Sequence, residues 1–297
     1  MTYANVRRLL DERSVVILDG AIGTELHRRG AKLRSHGWSS FVSIDEPNIV
    51  RATHVDYIVA GADVITTNTF AASAARVEHG MQSQVAELNR RSVELAIEAR
   101  QQAGAEDRVA IAGSISTGNP SEVTNAERGY EIYLEQAQLL ASAGADLIIL
   151  EMLKDVPQTL AAMAAARQTG LPVWAGFSCR TNDARLIELL SGEPGQSFAD
   201  ALGEIGPLDV NAATIMHTTF EHAGAALAVL REHFLGPSGV YPHAGKWLRP
   251  GWEFDDTVQP RDLTTLAVEW RARGSQIFGA CCGLGVDYIS ALSASVR

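Results

Sequence analysis

The chain has 297 residues, 46% hydrophobic and 20% charged, with a formal net charge of −10, the balance of a folded globular protein whose acidity and lack of a basic stripe argue against a nucleic-acid partner. No apolar run approaches the roughly 20 residues that span a bilayer, so no membrane role is expected. The start of the chain lacks the apolar core of a signal peptide, and with only three cysteines this predicts a cytoplasmic protein holding free thiols.

Along the chain, short apolar runs alternate with longer amphipathic stretches. Strand-like runs fall at 15–20, 63–69, 109–115, 147–152, 173–178 and 212–217, more weakly at 239–241, and again at 276–281. They are too apolar for one-sided strands, as expected of parallel strands covered on both faces. Helical patterns lie between them, for example at 84–103, 126–143, 156–168, 198–205, 220–233 and 262–273. The tetrapeptide Ala-Gly-Ala-Asp occurs at 60–63 and 143–146, each time closing a helix and opening a strand. Glycine there suits a helix C-terminus. About eight β–α units in this length predict an α/β protein, a (β/α)8 TIM barrel forming a single domain over 1–297. An open doubly wound sheet is the alternative.

Barrels of this kind carry function at the C-terminal ends of their strands. At those ends the sequence sets Asp19, Thr67-Asn68-Thr69, Ser114, Glu151, Ser178-Cys179, Met216-His217, Tyr241-Pro242-His243 and Cys281-Cys282. The vicinal cysteines are the sharpest signal. Adjacent residues of a regular strand face opposite sides, so both sulfurs reach one point only where the pleat breaks. Gly279, Gly283 and Gly285 permit that break. Two thiolates on one soft metal such as zinc account for the pair. Two small buried core residues are the plainer alternative.

The runs 18–26 (Leu-Asp-Gly-Ala-Ile-Gly-Thr-Glu-Leu), 61–70 (Gly-Ala-Asp-Val-Ile-Thr-Thr-Asn-Thr-Phe), 112–115 (Ala-Gly-Ser-Ile), Leu150-Glu151, 241–245 (Tyr-Pro-His-Ala-Gly) and 279–283 (Gly-Ala-Cys-Cys-Gly) together resemble the homocysteine S-methyltransferase family, nearly end to end. The resemblance implies a (β/α)8 barrel binding one Zn2+ through three cysteines. Cys281 and Cys282 match two of them. The third falls at the end of the sixth strand, usually as Asn-Cys, where this chain has Met216-His217. The implied metal set is therefore His217, Cys281 and Cys282, a departure from the family pattern. A His nitrogen binds zinc at ~2.0–2.1 Å against ~2.3 Å for sulfur, and two Cys with one His is a catalytic zinc set with an open fourth position. Zinc with three thiolates carries a net negative charge. With two thiolates and a neutral imidazole the site is neutral, and should acidify a bound thiol more. Cys179 and His243 are rival third ligands.

The resemblance also places Glu151 and Asp19 as catalytic and substrate-binding carboxylates near the homocysteine amino group. A turn-forming role is the alternative for Asp19. The turn at 20–23 lacks the spacing of a phosphate loop and reads as close backbone approach to a ligand. The amides of Ala21 and Ile22 would take a substrate carboxylate. Thr67, Asn68 and Ser114 would line the pocket. Phe70 and Trp247 would wall a methyl-onium donor, and the Trp-rich segment 245–254, with Trp247 and Trp252, has the length of a lid or a dimer contact. The implied reaction moves a methyl group from a sulfonium or ammonium donor to homocysteine thiolate, giving methionine; a sulfonium donor is favoured. A different thiol or selenol acceptor, and a non-catalytic ligand-binding barrel, are the rivals. The partners are small molecules, and a homo-oligomer is left open.

Overall fold

The computed structural model describes residues 3–34, 37–72, 82–118, 125–248, 251–253 and 258–297. Eight parallel strands form one sheet: β1 (Val16–Ile17), β2 (Val64–Thr66), β3 (Ala110–Ser116), β4 (Leu147–Leu153), β5 (Val173–Phe177), β6 (Ala212–Thr219), β7 (Ser238–His243) and β8 (Ile277–Phe278). Their order is β1-β8-β7-β6-β5-β4-β3-β2, and a parallel bridge between Leu18 and Val64 joins the two ends. The sheet is therefore a closed barrel, and the open-sheet alternative falls away.

Alternation along the strands divides the apolar residues into two cores. Val16, Leu18, Ala110, Ala112, Leu147, Ile149 and Trp174 point into the barrel. Ile17, Ile111, Ile148, Leu150 and Ala175 point outward against the helices. The N-terminal helix Tyr3–Asp11 closes the lower end, with Val6 and Leu10 in the inner core and the Tyr3 hydroxyl 3.2 Å from Trp174 Nε1, which donates to it. At the upper end the inner core finishes in Met216, Tyr241, Cys281 and Cys282, so the apolar floor of the barrel mouth carries sulfur.

Three helices run as the sequence patterns predict: Ala126–Ala143, Phe198–Ile205 and Phe220–His233. The first two are fixed by side-chain caps, Asn125 accepting from the Arg128 amide and Ser197 from the Asp200 amide, which satisfy otherwise orphaned donors. The repeated Ala-Gly-Ala-Asp has a structural role at both sites. Gly61 (φ 109°) and Gly144 (φ 105°) turn the chain out of a helix. Each following aspartate then grips the preceding odd-numbered strand: Asp63 accepts the Ile17 amide at 2.8 Å and Asp146 the Ile111 amide at 2.9 Å. Asn211 does the same for the Val173 amide at 2.8 Å.

Two short antiparallel hairpins extend from the barrel. Cys179–Thr181 pairs with Ile187–Leu189 after β5, an element the charged stretch between them conceals in the sequence. Lys246–Leu248 pairs with Gly251–Glu253 after β7, with Trp247 opposite Trp252; residues 249, 250 and 254 of the expected lid segment lie outside the described residues.

Candidate metal centre

The vicinal cysteines follow β8 where the chain leaves its pleat. The Cys281 amide donates to the Pro242 carbonyl at 2.8 Å, the Cys282 carbonyl accepts from Ala244 at 3.0 Å, and Gly283 takes φ 84°. The turn brings the sulfurs to 3.8 Å, far beyond the ~2.05 Å of a disulfide. All three cysteines of the chain are free and buried.

His217 reaches the same point from β6. The pairing of β6 with β7 shifts register between Met216 and Thr219, and His217 sits at φ 41°, a region that disfavours ordinary side chains. Its Nδ1 lies 3.2 Å from Cys281 Sγ and 3.9 Å from Cys282 Sγ, and its Nε2 lies 3.6 Å from Cys281 Sγ. The donor atoms of His217, Cys281 and Cys282 all lie within 4.8 Å of one another. Burial and the adjacent Cys282 push the Cys281 thiol well above its ordinary value, while His217 pulls it down. Burial would lower His217, yet the charges of Cys281 and Glu151 lift it to about 10. Both directions have one source: in a dry cluster a charge is tolerated only beside an opposite one. Two thiols and an imidazole at this spacing fit a borderline-soft cation such as zinc, filling three of its four positions.

Glu151 stands beside the cluster, its Oε2 3.8 Å from His217 Nε2. Its Oε1 accepts a short hydrogen bond from the Ser114 hydroxyl. Asp19 is more enclosed. Its carboxylate accepts the Thr66 amide at 2.7 Å and the Thr66 hydroxyl at 3.1 and 3.2 Å. Burial raises Asp19 well above the usual carboxylate range against those bonds, and the Glu151 charge raises it further. The Phe70 ring packs on His217, centroids 5.3 Å apart.

Other residues singled out in the sequence are engaged elsewhere. The Thr67 hydroxyl pairs with Thr69 at 2.7 Å and accepts the Ser114 amide at 3.0 Å, stitching β2 to β3. Asn68 donates to the Ser39 carbonyl at 2.7 Å and the Ser43 hydroxyl at 3.2 Å. Ala21 caps the helix Ile22–Arg28, and its carbonyl accepts from the Tyr57 hydroxyl at 3.2 Å. The close backbone approach expected at 20–23 is made by the protein's own rings: a side chain at Gly20 would meet Tyr57 at 2.7 Å, and one at Gly23 would meet Trp38 at 2.3 Å. Neither rival ligand joins the sulfur cluster among the described residues. Cys179 enters the hairpin after β5, its amide donating to Thr218 at 2.9 Å, and burial drives its thiol far up. His243 hydrogen-bonds the His217 backbone and is lowered to about 4, by burial first and then by the charge of His217.

In the sequence Met216 is only a departure from the family's Asn. In the structure its thioether accepts the Tyr241 hydroxyl at 2.9 Å and the Met152 amide at 3.2 Å. Gly176 is what makes room for it, since a Cβ there would lie 2.5 Å from the Met216 sulfur.

The protein is a closed parallel barrel with thiol and imidazole donors gathered at its C-terminal mouth. The chain belongs to the homocysteine S-methyltransferase family, whose model matches residues 16–296. It is 30% identical to the homocysteine S-methyltransferase of Escherichia coli strain K12, over 97% of each chain. It is 26% identical to the selenocysteine methyltransferase of Astragalus bisulcatus, over 92% of this chain and 90% of that one. Among solved structures, the metallated form of the Escherichia coli homocysteine methyltransferase MmuM superposes with a TM-score of 0.79 at 27% identity, covering 98% and 99% of the two chains.

Proposed function

We propose that the protein transfers a methyl group from a sulfonium donor to the sulfur of homocysteine, giving methionine, with zinc held by His217, Cys281 and Cys282. The observation that carries this reading is the convergence of an imidazole and two thiols within 4.8 Å at the mouth of the barrel. A zinc ion held there supplies a soft Lewis acid that lowers the pKa of the substrate thiol. The protein's own residues orient the reactants. Glu151 and Asp19 offer carboxylates to the substrate ammonium, and the amides of Ala21 and Ile22 face its carboxylate. Phe70 forms an apolar wall beside His217 and shields the positive methyl donor by its ring face. The substrate sulfur attacks the methyl carbon as the bond to the donor sulfur breaks. The electron pair of that bond leaves on the donor, which departs as a neutral thioether. Alignment and exclusion of water are the protein's largest contributions. No described helix is long and apolar enough to cross a membrane, and three free thiols accord with a reducing cytoplasm.

The likeness to a selenocysteine methyltransferase supports one second reading, a selenol acceptor at the same site. A panel of homocysteine and selenocysteine against sulfonium and ammonium donors decides between them. Methionine formed from homocysteine and a sulfonium donor is the expected result. Methylation of selenocysteine alone would replace the acceptor assigned here, and turnover with ammonium donors alone would replace the donor.

A further inference from the structure

An imidazole has a second nitrogen, which the cysteine of the family pattern lacks. In His217 it faces a carboxylate. Nδ1 is the nitrogen that approaches both sulfurs, at 3.2 and 3.9 Å. Nε2 lies 3.8 Å from Glu151 Oε2, at ion-pair distance, and 3.6 Å from one sulfur, Cys281 Sγ. Metal-ligating histidines are held in orientation and kept basic by a carboxylate that accepts the proton of the nitrogen not used for the metal.

The backbone is shaped for this pairing on both sides. The pairing of β4 with β5 shifts register between Leu150 and Leu153, and Met152 takes φ 54°. In β6 the corresponding irregularity surrounds His217, at φ 41°. Two non-glycine residues at positive φ, in neighbouring stretches of two barrel strands, persist only where their surroundings hold them. The tie between them is the Met216 sulfur, which takes the Met152 amide and so links the turn beside Glu151 to the residue preceding His217. Ser114 holds the other carboxylate oxygen.

We propose that Glu151 is a positioning residue for His217. Its carboxylate accepts the Nε2 proton, fixes the tautomer that leaves Nδ1 free for the metal, and thereby sets the metal affinity of the site. The inference rests on the metal-binding reading given above. It adds to the role of Glu151 toward the substrate ammonium, because a carboxylate has about four acceptor positions, and Ser114 and His217 use two.

The test is titration of the metal-free full-length protein with Zn2+ against a chromophoric chelator, with no substrate present. E151A is expected to lower zinc affinity about 10–100-fold, with partial rescue in E151Q, which keeps an acceptor. In the His217→Cys background the same substitutions should leave affinity unchanged, because a thiolate has no second nitrogen to orient. Unchanged affinity in the His217 protein would overturn the proposal. An equal loss in both backgrounds would also overturn it, since Glu151 would then support the mouth in general. If the unsubstituted protein takes up no zinc, the metal-binding reading itself fails before Glu151 is reached.

Discussion

The two ends of the barrel use similar polar residues in opposite ways. At the N-terminal end two acids are matched: buried Asp63 holds the Ile17 amide and Arg297, and partly buried Asp146 holds the Ile111 amide and Arg100. At the C-terminal mouth Glu151, His217, Cys281 and Cys282 face one another. The strand backbone there bends into positive φ at Met152 and His217, and Cys281 and His217 are both far from their ordinary titration ranges. One end closes its hydrogen-bonding within the fold; the other leaves a cluster whose charges a cation would balance. The first arrangement stabilises strands, and the second is suited to a ligand.

Two buried histidines show the same contrast. His54, in the helix Pro47–Val59, is fully buried, and neither ring nitrogen has a hydrogen-bond partner among the described residues. Burial alone lowers it to about 4. His217 has charged neighbours and moves the other way. Because His54 is harder to protonate in the folded state than in the unfolded one, stability holds above pH 6.5 and is lost as pH falls from 6.5 toward 4. The loss amounts to about 3 kcal/mol, at about 1.4 kcal/mol per pH unit. Urea denaturation of the protein and of His54→Leu across that window should show this slope in the first and a flatter one in the second. Equal slopes would remove the contrast.

A smaller effect is expected at the lower end. D146A leaves the Ile111 amide without its acceptor and Arg100 without its carboxylate. It should lower unfolding stability by about 1–3 kcal/mol while zinc affinity stays unchanged. A shift in zinc affinity would mean that the two ends are coupled and that the division drawn here is too sharp.

Much of this division is legible in the sequence. Strands buried on both faces, the amphipathic stretches between them and the repeated Ala-Gly-Ala-Asp mark a barrel because each rests on local chemistry. The Cys281-Cys282 pair could be named because adjacent thiols at a strand end have few structural uses, and His217 because the family resemblance puts a metal ligand at its position. Direction was harder to read. Thr67 and Asn68 stand at a strand end as expected, but their side chains turn to neighbouring backbone and hydroxyls, and residue type does not encode that choice. Gly20 and Gly23 signal close approach without naming what approaches. The positive φ of Met152 and His217 has no glycine to announce it, and the pairing of Glu151 with His217 joins residues on different strands, β4 and β6.

The central claim is that the mouth of the barrel is a metal centre built on Cys281, Cys282 and His217. Metal analysis of the purified protein beside Cys281→Ser, with thermal unfolding of both after chelation, tests it most directly. About one zinc per chain, abolished in Cys281→Ser while the metal-free proteins unfold at the same temperature, is the predicted result. A fully active protein without metal, or zinc retained in full by Cys281→Ser, would contradict it.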